Sequence, residues 1–85
     1  MTRLVNKLQR KLDKEYGIFG DIIVKESDDK HNVQIIFEEN DYLYEALNCF
    51  SITMYDEVEA FINTILDKYG LYFELESNCV ATISI

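Results

Sequence analysis

One helical stripe constrains this chain more than any other feature. Val58, Phe61, Ile62, Ile65, Leu66 and Tyr69 recur at three- and four-residue steps, and Gly70 follows as a stop. Apolar residues at that period form a band that needs a second layer to cover it. The flanking runs supply one, because they alternate with period two: "VQIIFEE" (33–39), "LYFELE" (71–76) and "CVATISI" (79–85). In the last two, Leu71, Phe73 and Leu75, then Cys79, Ala81, Ile83 and Ile85, are expected to point inward. Asp56 with Glu59 has the spacing of a capping box at the start of the helix.

A second stripe, Leu4, Val5, Leu8, Leu12 and Tyr16, predicts a helix over 2–16, with Thr2 as cap and Gly17 as a left-handed stop. "IFGDIIVKE" (18–26) reads as a strand with Gly20 a bulge, and "SDDKHN" as a polar loop. Asn40–Asp41 between apolar runs is turn chemistry, so "FEENDYLYE" (37–45) reads as a hairpin tip. A third strand would follow towards Met54, with Tyr42, Tyr44, Ala46, Phe50, Ile52 and Met54 on one face. "YEAL" has helical propensity, and a short helical turn at 43–48 is the competing reading. The echo between "LDKEYGIF" (12–19) and "LDKYGLYF" (66–73) needs no duplication, since both are helix ends with a glycine stop. The expected fold is α+β in the order α-β-β-β-α-β-β, a mainly antiparallel sheet with two helices packed on one face, as a single domain over 1–85.

With 48% of 85 residues apolar, such a chain can fold around one core without staples. No run of about 18 apolar residues offers a membrane span. The opening "MTRLVNKLQRKLDKEYG" is amphipathic rather than a signal core, which points to the cytoplasm. There Cys49 and Cys79 stay reduced. His31 is the one histidine, beside Asp28 and Asp29, with no nucleophile brought to it by a motif. "SDDKHN" does not have the spacing of a calcium loop, and Cys49, Cys79 and His31 lack the paired spacing of a zinc site. No catalytic residue, metal or cofactor is expected.

Charge carries the functional reading. The formal net charge is −8, unevenly placed. Residues 1–14 hold Arg3, Lys7, Arg10, Lys11 and Lys14 against Asp13, while the remainder holds three basic side chains against fifteen acids. Between Lys30 and Lys68 there are eight Asp and Glu and no Lys or Arg. Such a field attracts basic partners and repels nucleic acid and anionic membrane. The candidate partner-binding residues are Glu38, Glu39, Asp41 and Glu45 on the middle hairpin, and Asp56, Glu57 and Glu59 at the start of the second helix, where the dipole also favours them. Glu74 and Glu76 add two carboxylates on one strand face, about 6.6–6.8 Å apart by strand rise. Tyr42, Tyr44, Tyr55 and Tyr72, read as exposed, would serve as anchors. Carboxylates spaced in this way imitate a phosphate backbone; acids kept only for solubility are the competing explanation. Arg3, Lys7, Arg10 and Lys14 form a basic ridge on the first helix, whose direct contact with nucleic acid the acidic remainder opposes.

In element order and charge the chain resembles the small acidic anti-CRISPR proteins that block Cas nucleases by imitating DNA. The likeness covers residues 2–69, with "VQIIFEENDYLYEALNCFSIT" leading into "DEVEAFINTIL". "SITMYDEVEAFI" (51–62) is similar to a strand-to-helix segment of the phage uracil-DNA glycosylase inhibitor, although Phe50 stands where that family has a glutamate. Both resemblances imply a phage-type, non-enzymatic inhibitor acting in a bacterial host on a basic nucleic-acid-binding protein; monomer and homodimer both stay open. A non-catalytic protein–protein module of another kind, immunity- or antitoxin-like, is the alternative.

Overall fold

Leu4, Leu8, Leu12 and Tyr16 are buried along helix α1 (Thr2–Tyr16), as their spacing dictates. The computed structural model describes residues 2–28, 32–48 and 51–84, without the Thr2 side chain. The Thr2 cap, the loop at His31, and the orientations expected for Cys49, Phe50 and Ile85 lie outside the described residues.

After α1 come a 3₁₀ turn (Gly17–Phe19), β1 (Ile23–Glu26), β2 (Asn32–Ile36), α2 (Asp41–Leu47), α3 (Ile52–Leu66), a second 3₁₀ turn (Asp67–Tyr69), β3 (Phe73–Leu75) and β4 (Val80–Ser84). The strands make one antiparallel sheet in the order β1-β2-β4-β3. The expected α+β class, the antiparallel sheet and the helices packed on it are what the chain forms. Register explains the layering. Val24, Ile35, Ala81 and Leu75 align across the four strands on the helix-facing side, whereas Lys25, Gln34, Thr82 and Glu74 align on the other. Val24, Val33, Ile35, Ala81 and Ile83 are buried beneath the helices with Leu8, Leu12, Leu43, Leu47, Ile62 and Leu66. Each such valine, leucine or isoleucine side chain contributes roughly 1.5–3 kcal/mol by leaving water.

The third strand is replaced by a helix. Leu43, Ala46 and Leu47 are buried at helical spacing, while the strand reading would have buried Tyr42, Tyr44 and Ala46. Covering three aliphatic side chains at once outweighs the β preference of the tyrosines. The competing helical turn at 43–48 is thus the reading the structure adopts. "FEENDYLYE" is consequently not a hairpin tip: Glu38 and Glu39 form a turn, and Asn40 caps α2.

Four other expectations change. Helix α3 begins at Ile52, because the Ser51 side chain accepts from the Met54 N–H; Asp56 and Glu59 lie inside the helix and form no capping box. Ile18 and Phe19 leave the first strand and form the 3₁₀ turn, so Gly17 takes no left-handed conformation. Gly20 is no bulge within a strand; it makes an isolated bridge to Asn40. Cys79 and Phe73 are only half-buried and Leu75 is 40% exposed, since the helices do not reach over this edge of the sheet.

Candidate interaction surface

Asn40 organises the end of the molecule that carries the acids. Among the described residues it is the buried polar side chain of the core, fully enclosed. Its Oδ1 accepts from the Leu43 N–H at 2.9 Å and so caps α2. Its Nδ2 donates to the carbonyls of Tyr16 and Gly20, both at 2.9 Å. One carboxamide therefore ties the end of α1 and the following turn to the start of α2. Gly20 lies flat against the same corner: a Cβ there would stand 1.9 Å from the Glu39 carbonyl oxygen.

This closure lines up four aromatic rings. Phe19 stacks on Tyr42 (4.9 Å between centroids), Tyr42 on Tyr16 (5.3 Å), and Phe61 meets Tyr16 edge-on (5.5 Å). Such pairs contribute about 0.5–1.5 kcal/mol each beyond burial. The Tyr42 hydroxyl donates to Glu57 Oε2 at 3.4 Å and links the acids of α2 to those of α3. Burial pushes the Tyr16 hydroxyl up to about 12, with the charges of Tyr42, Glu15 and Glu57 adding to it. Tyr42 is raised as well, first by burial and then by Glu57. An unfolded tyrosine ionises near 10, so neutral Tyr16 stabilises the fold fully below pH 10 and this stabilisation is lost as pH rises towards 12. A loss of about 1 kcal/mol is expected across that window, solvent screening discounting the rest. Urea denaturation at pH 9 and pH 11.5 measures it, and Tyr16→Phe should remove the difference attributable to this ring.

The structure divides the sequence-predicted acids into two groups. Glu38 and Glu39 lie in the turn before α2, Asp41, Tyr42 and Glu45 lie on α2, and Tyr42 contacts Glu57 of α3. Asp56 is exposed and Glu59 half-buried on the same helix as Glu57. Because α3 starts at Ile52, the dipole argument for Asp56, Glu57 and Glu59 falls away: the first turn holds no acid. Glu74 and Tyr72 are exposed on β3 and the residue before it, with Glu74 on the sheet face opposite the helices. Glu76 accepts from Gln34 Nε2 at 3.3 Å. The two groups are coupled through the end of α2: Asn48 Nδ2 donates to the Asn78 carbonyl at 2.7 Å, and Asn78 Nδ2 to the Tyr44 hydroxyl at 3.5 Å. Tyr42, Tyr44 and Tyr55, expected to be exposed, are half-buried and packed on the core. The basic ridge changes too, since Lys7 sits 5.8 Å from the Tyr69 ring centroid.

Ile18 and Phe19 are the residues sequence reasoning missed. Ile18 is 90% exposed and Phe19 44%, on the turn whose Phe19 stacks against Tyr42. An apolar knob therefore stands beside Tyr42, whose hydroxyl bonds to Glu57. Next to it lies an open hollow of about 500 Å³ lined by Asp13, Gly17, Gly20, Asp21, Ile22 and Ile23. The signal available in sequence was Gly17 and Gly20 bracketing Ile18–Phe19, too short a span for a strand. Among the described residues no group of three or more His, Cys, Asp or Glu is placed to hold a metal ion, and no helix is long and apolar enough to cross a membrane. Comparison with protein-family models, with curated proteins and with solved structures found no match.

Proposed function

We propose that this chain is a non-enzymatic inhibitor that places its acidic helical end in the basic nucleic-acid cleft of another protein, in the manner of a DNA mimic. A Cas nuclease or another DNA enzyme is the class of target this charge pattern suits. The observation that carries the reading is the Tyr42–Glu57 hydrogen bond, which ties α3 to the helix that bears Asp41 and Glu45 and follows the Glu38–Glu39 turn, in a stretch with no lysine or arginine between Lys30 and Lys68. Held on two capped helices and the turn before the first of them, these carboxylates present fixed charges and lose little entropy on docking. Acids kept for solubility alone would not account for an isoleucine 90% exposed next to Phe19, whose ring stacks on Tyr42. A central apolar contact within a charged rim is how protein interfaces concentrate affinity.

Displacement from DNA-cellulose tests the proposal. Bacterial proteins retained on the resin are washed with the wild-type chain, with a variant carrying Lys at 38, 39, 41 and 45, and with Ile18→Ser. The wild type is expected to release a specific DNA-binding protein. The four-lysine variant should release none, and Ile18→Ser should need about tenfold more protein, at unchanged melting temperature. Equal release by the four-lysine variant would sink the idea.

A further inference from the structure

The two edges of the sheet are treated differently. In β1 the Ser27 N–H donates to the Asn32 carbonyl, so by alternation residues 23, 25 and 27 face β2 while Ile22 and Val24 face outwards. Two of the outward groups are satisfied: the Val24 N–H donates to Gln9 Oε1 at 2.8 Å, and Gln9 Nε2 donates to the Ile22 carbonyl at 2.7 Å. The carboxamide of α1 thus occupies the start of this edge as one residue of a neighbouring strand would. On β3 the Glu76 N–H donates to the Val80 carbonyl, so residues 74 and 76 face β4 and the backbone of Phe73 and Leu75 faces outwards. No described group takes those N–H and C=O groups. Tyr72 is 68% exposed and Leu75 40% beside them.

The geometry points to this β3 edge as the docking site for an extended segment of a partner protein in which Lys or Arg alternates with apolar residues, added as a fifth strand. Side chains of an added strand fall on the two faces in turn. On the outer face they meet Glu74 and Glu76, where a cation is the complement. On the helix side they meet half-buried Phe73 and exposed Leu75, which an apolar neighbour would cover. Charge and register disfavour a second copy of this chain. Antiparallel self-pairing centred on Glu74 sets that carboxylate opposite its own counterpart, and centring on Leu75 sets Glu74 opposite Glu76. Centring on Phe73 needs the Leu71 N–H, which already donates to the Leu66 carbonyl at 3.2 Å. The inference stands apart from the acidic helical end, and reversing the charges there leaves it unaltered.

The probe is a capped seven-residue peptide of alternating lysine and valine, titrated into the full chain while amide hydrogen exchange is followed residue by residue. Exchange at Phe73 and Leu75 should slow at least tenfold at saturation, with Ile22 and Val24 unchanged. A Glu74→Lys/Glu76→Lys variant should bind this peptide about tenfold more weakly and accept the glutamate–valine counterpart instead. Three results would overturn the assignment. One is no slowing at millimolar peptide; another is equal slowing with a peptide holding the same residues in two blocks, which is charge attraction alone. The third is slowing with protein concentration and no peptide, which makes a second copy the occupant.

Discussion

Gly20→Ala is expected to lower the melting temperature by about 15–30 °C, the largest effect of any single methyl group in this chain. Gly20 has φ 136° and ψ 178°, a region open in practice to glycine alone. An added Cβ would also lie 1.9 Å from the Glu39 oxygen and 2.9 Å from Asn40 Cα, both backbone atoms that no rotamer change can move. Strain and overpacking together cost about 3–5 kcal/mol, a large part of the stability of a domain this size. Gly17→Ala is the control. Its Cβ would meet only Asp13 Cβ, at an ordinary 3.7 Å, and its φ is not left-handed, so stability should hold or rise by about 0.4–1 kcal/mol. Thermal melts of the two variants side by side decide the matter; equal behaviour would mean that the Gly20–Asn40 contact does not form.

Asn40→Asp comes next, and its cost separates two roles of one residue. As helix caps Asn and Asp are about equal, so a residue that only capped α2 would tolerate the change. Here the amide nitrogen also donates to the carbonyls of Tyr16 and Gly20 in a fully buried site. A carboxylate would face two carbonyl oxygens with no donor between them. The expected loss is about 3–5 kcal/mol at neutral pH, from two buried acceptors left unpaired and a buried charge. Guanidinium denaturation measures it, and a loss under about 1 kcal/mol would reduce Asn40 to a cap.

Both residues mark where the sequence was legible and where it was not. Helix α1 could be read because Leu4, Leu8, Leu12 and Tyr16 repeat a period that only one structure buries. The sheet strands could be read for the same reason, though β1 lost Ile18 and Phe19 to a turn. Glycine at position 20 correctly signalled an unusual backbone, but its cause, the Glu39 carbonyl, lies nineteen residues along the chain and leaves no local trace. Asn40 looked like turn chemistry because its acceptor acts locally; its donors reach partners twenty and twenty-four residues away. In residues 42–54 strand and helix periods coexist, and only the covering of Leu43, Ala46 and Leu47 chooses between them. The two similar helix ends make the same point. Gly17 opens its 3₁₀ turn, whereas Gly70 closes the other in a left-handed conformation with φ 68°. The acids were visible as composition, and their division between the helical end and the β3 edge depended on topology alone.

The most direct test of the acidic end as a nucleic-acid mimic is capture from a bacterial lysate on the immobilised chain, eluted first with duplex DNA and then with rising salt. Mass spectrometry identifies what each step releases, with the four-lysine variant as the matched control. Screening shortens the reach of such charges from about 10 Å at 0.1 M salt to about 3 Å at 1 M, so a charge-driven complex dissociates within that range. The expected result is a DNA-binding protein that duplex DNA releases at low salt and that the variant fails to retain. A partner held equally by both proteins, and indifferent to DNA and to salt, would contradict it.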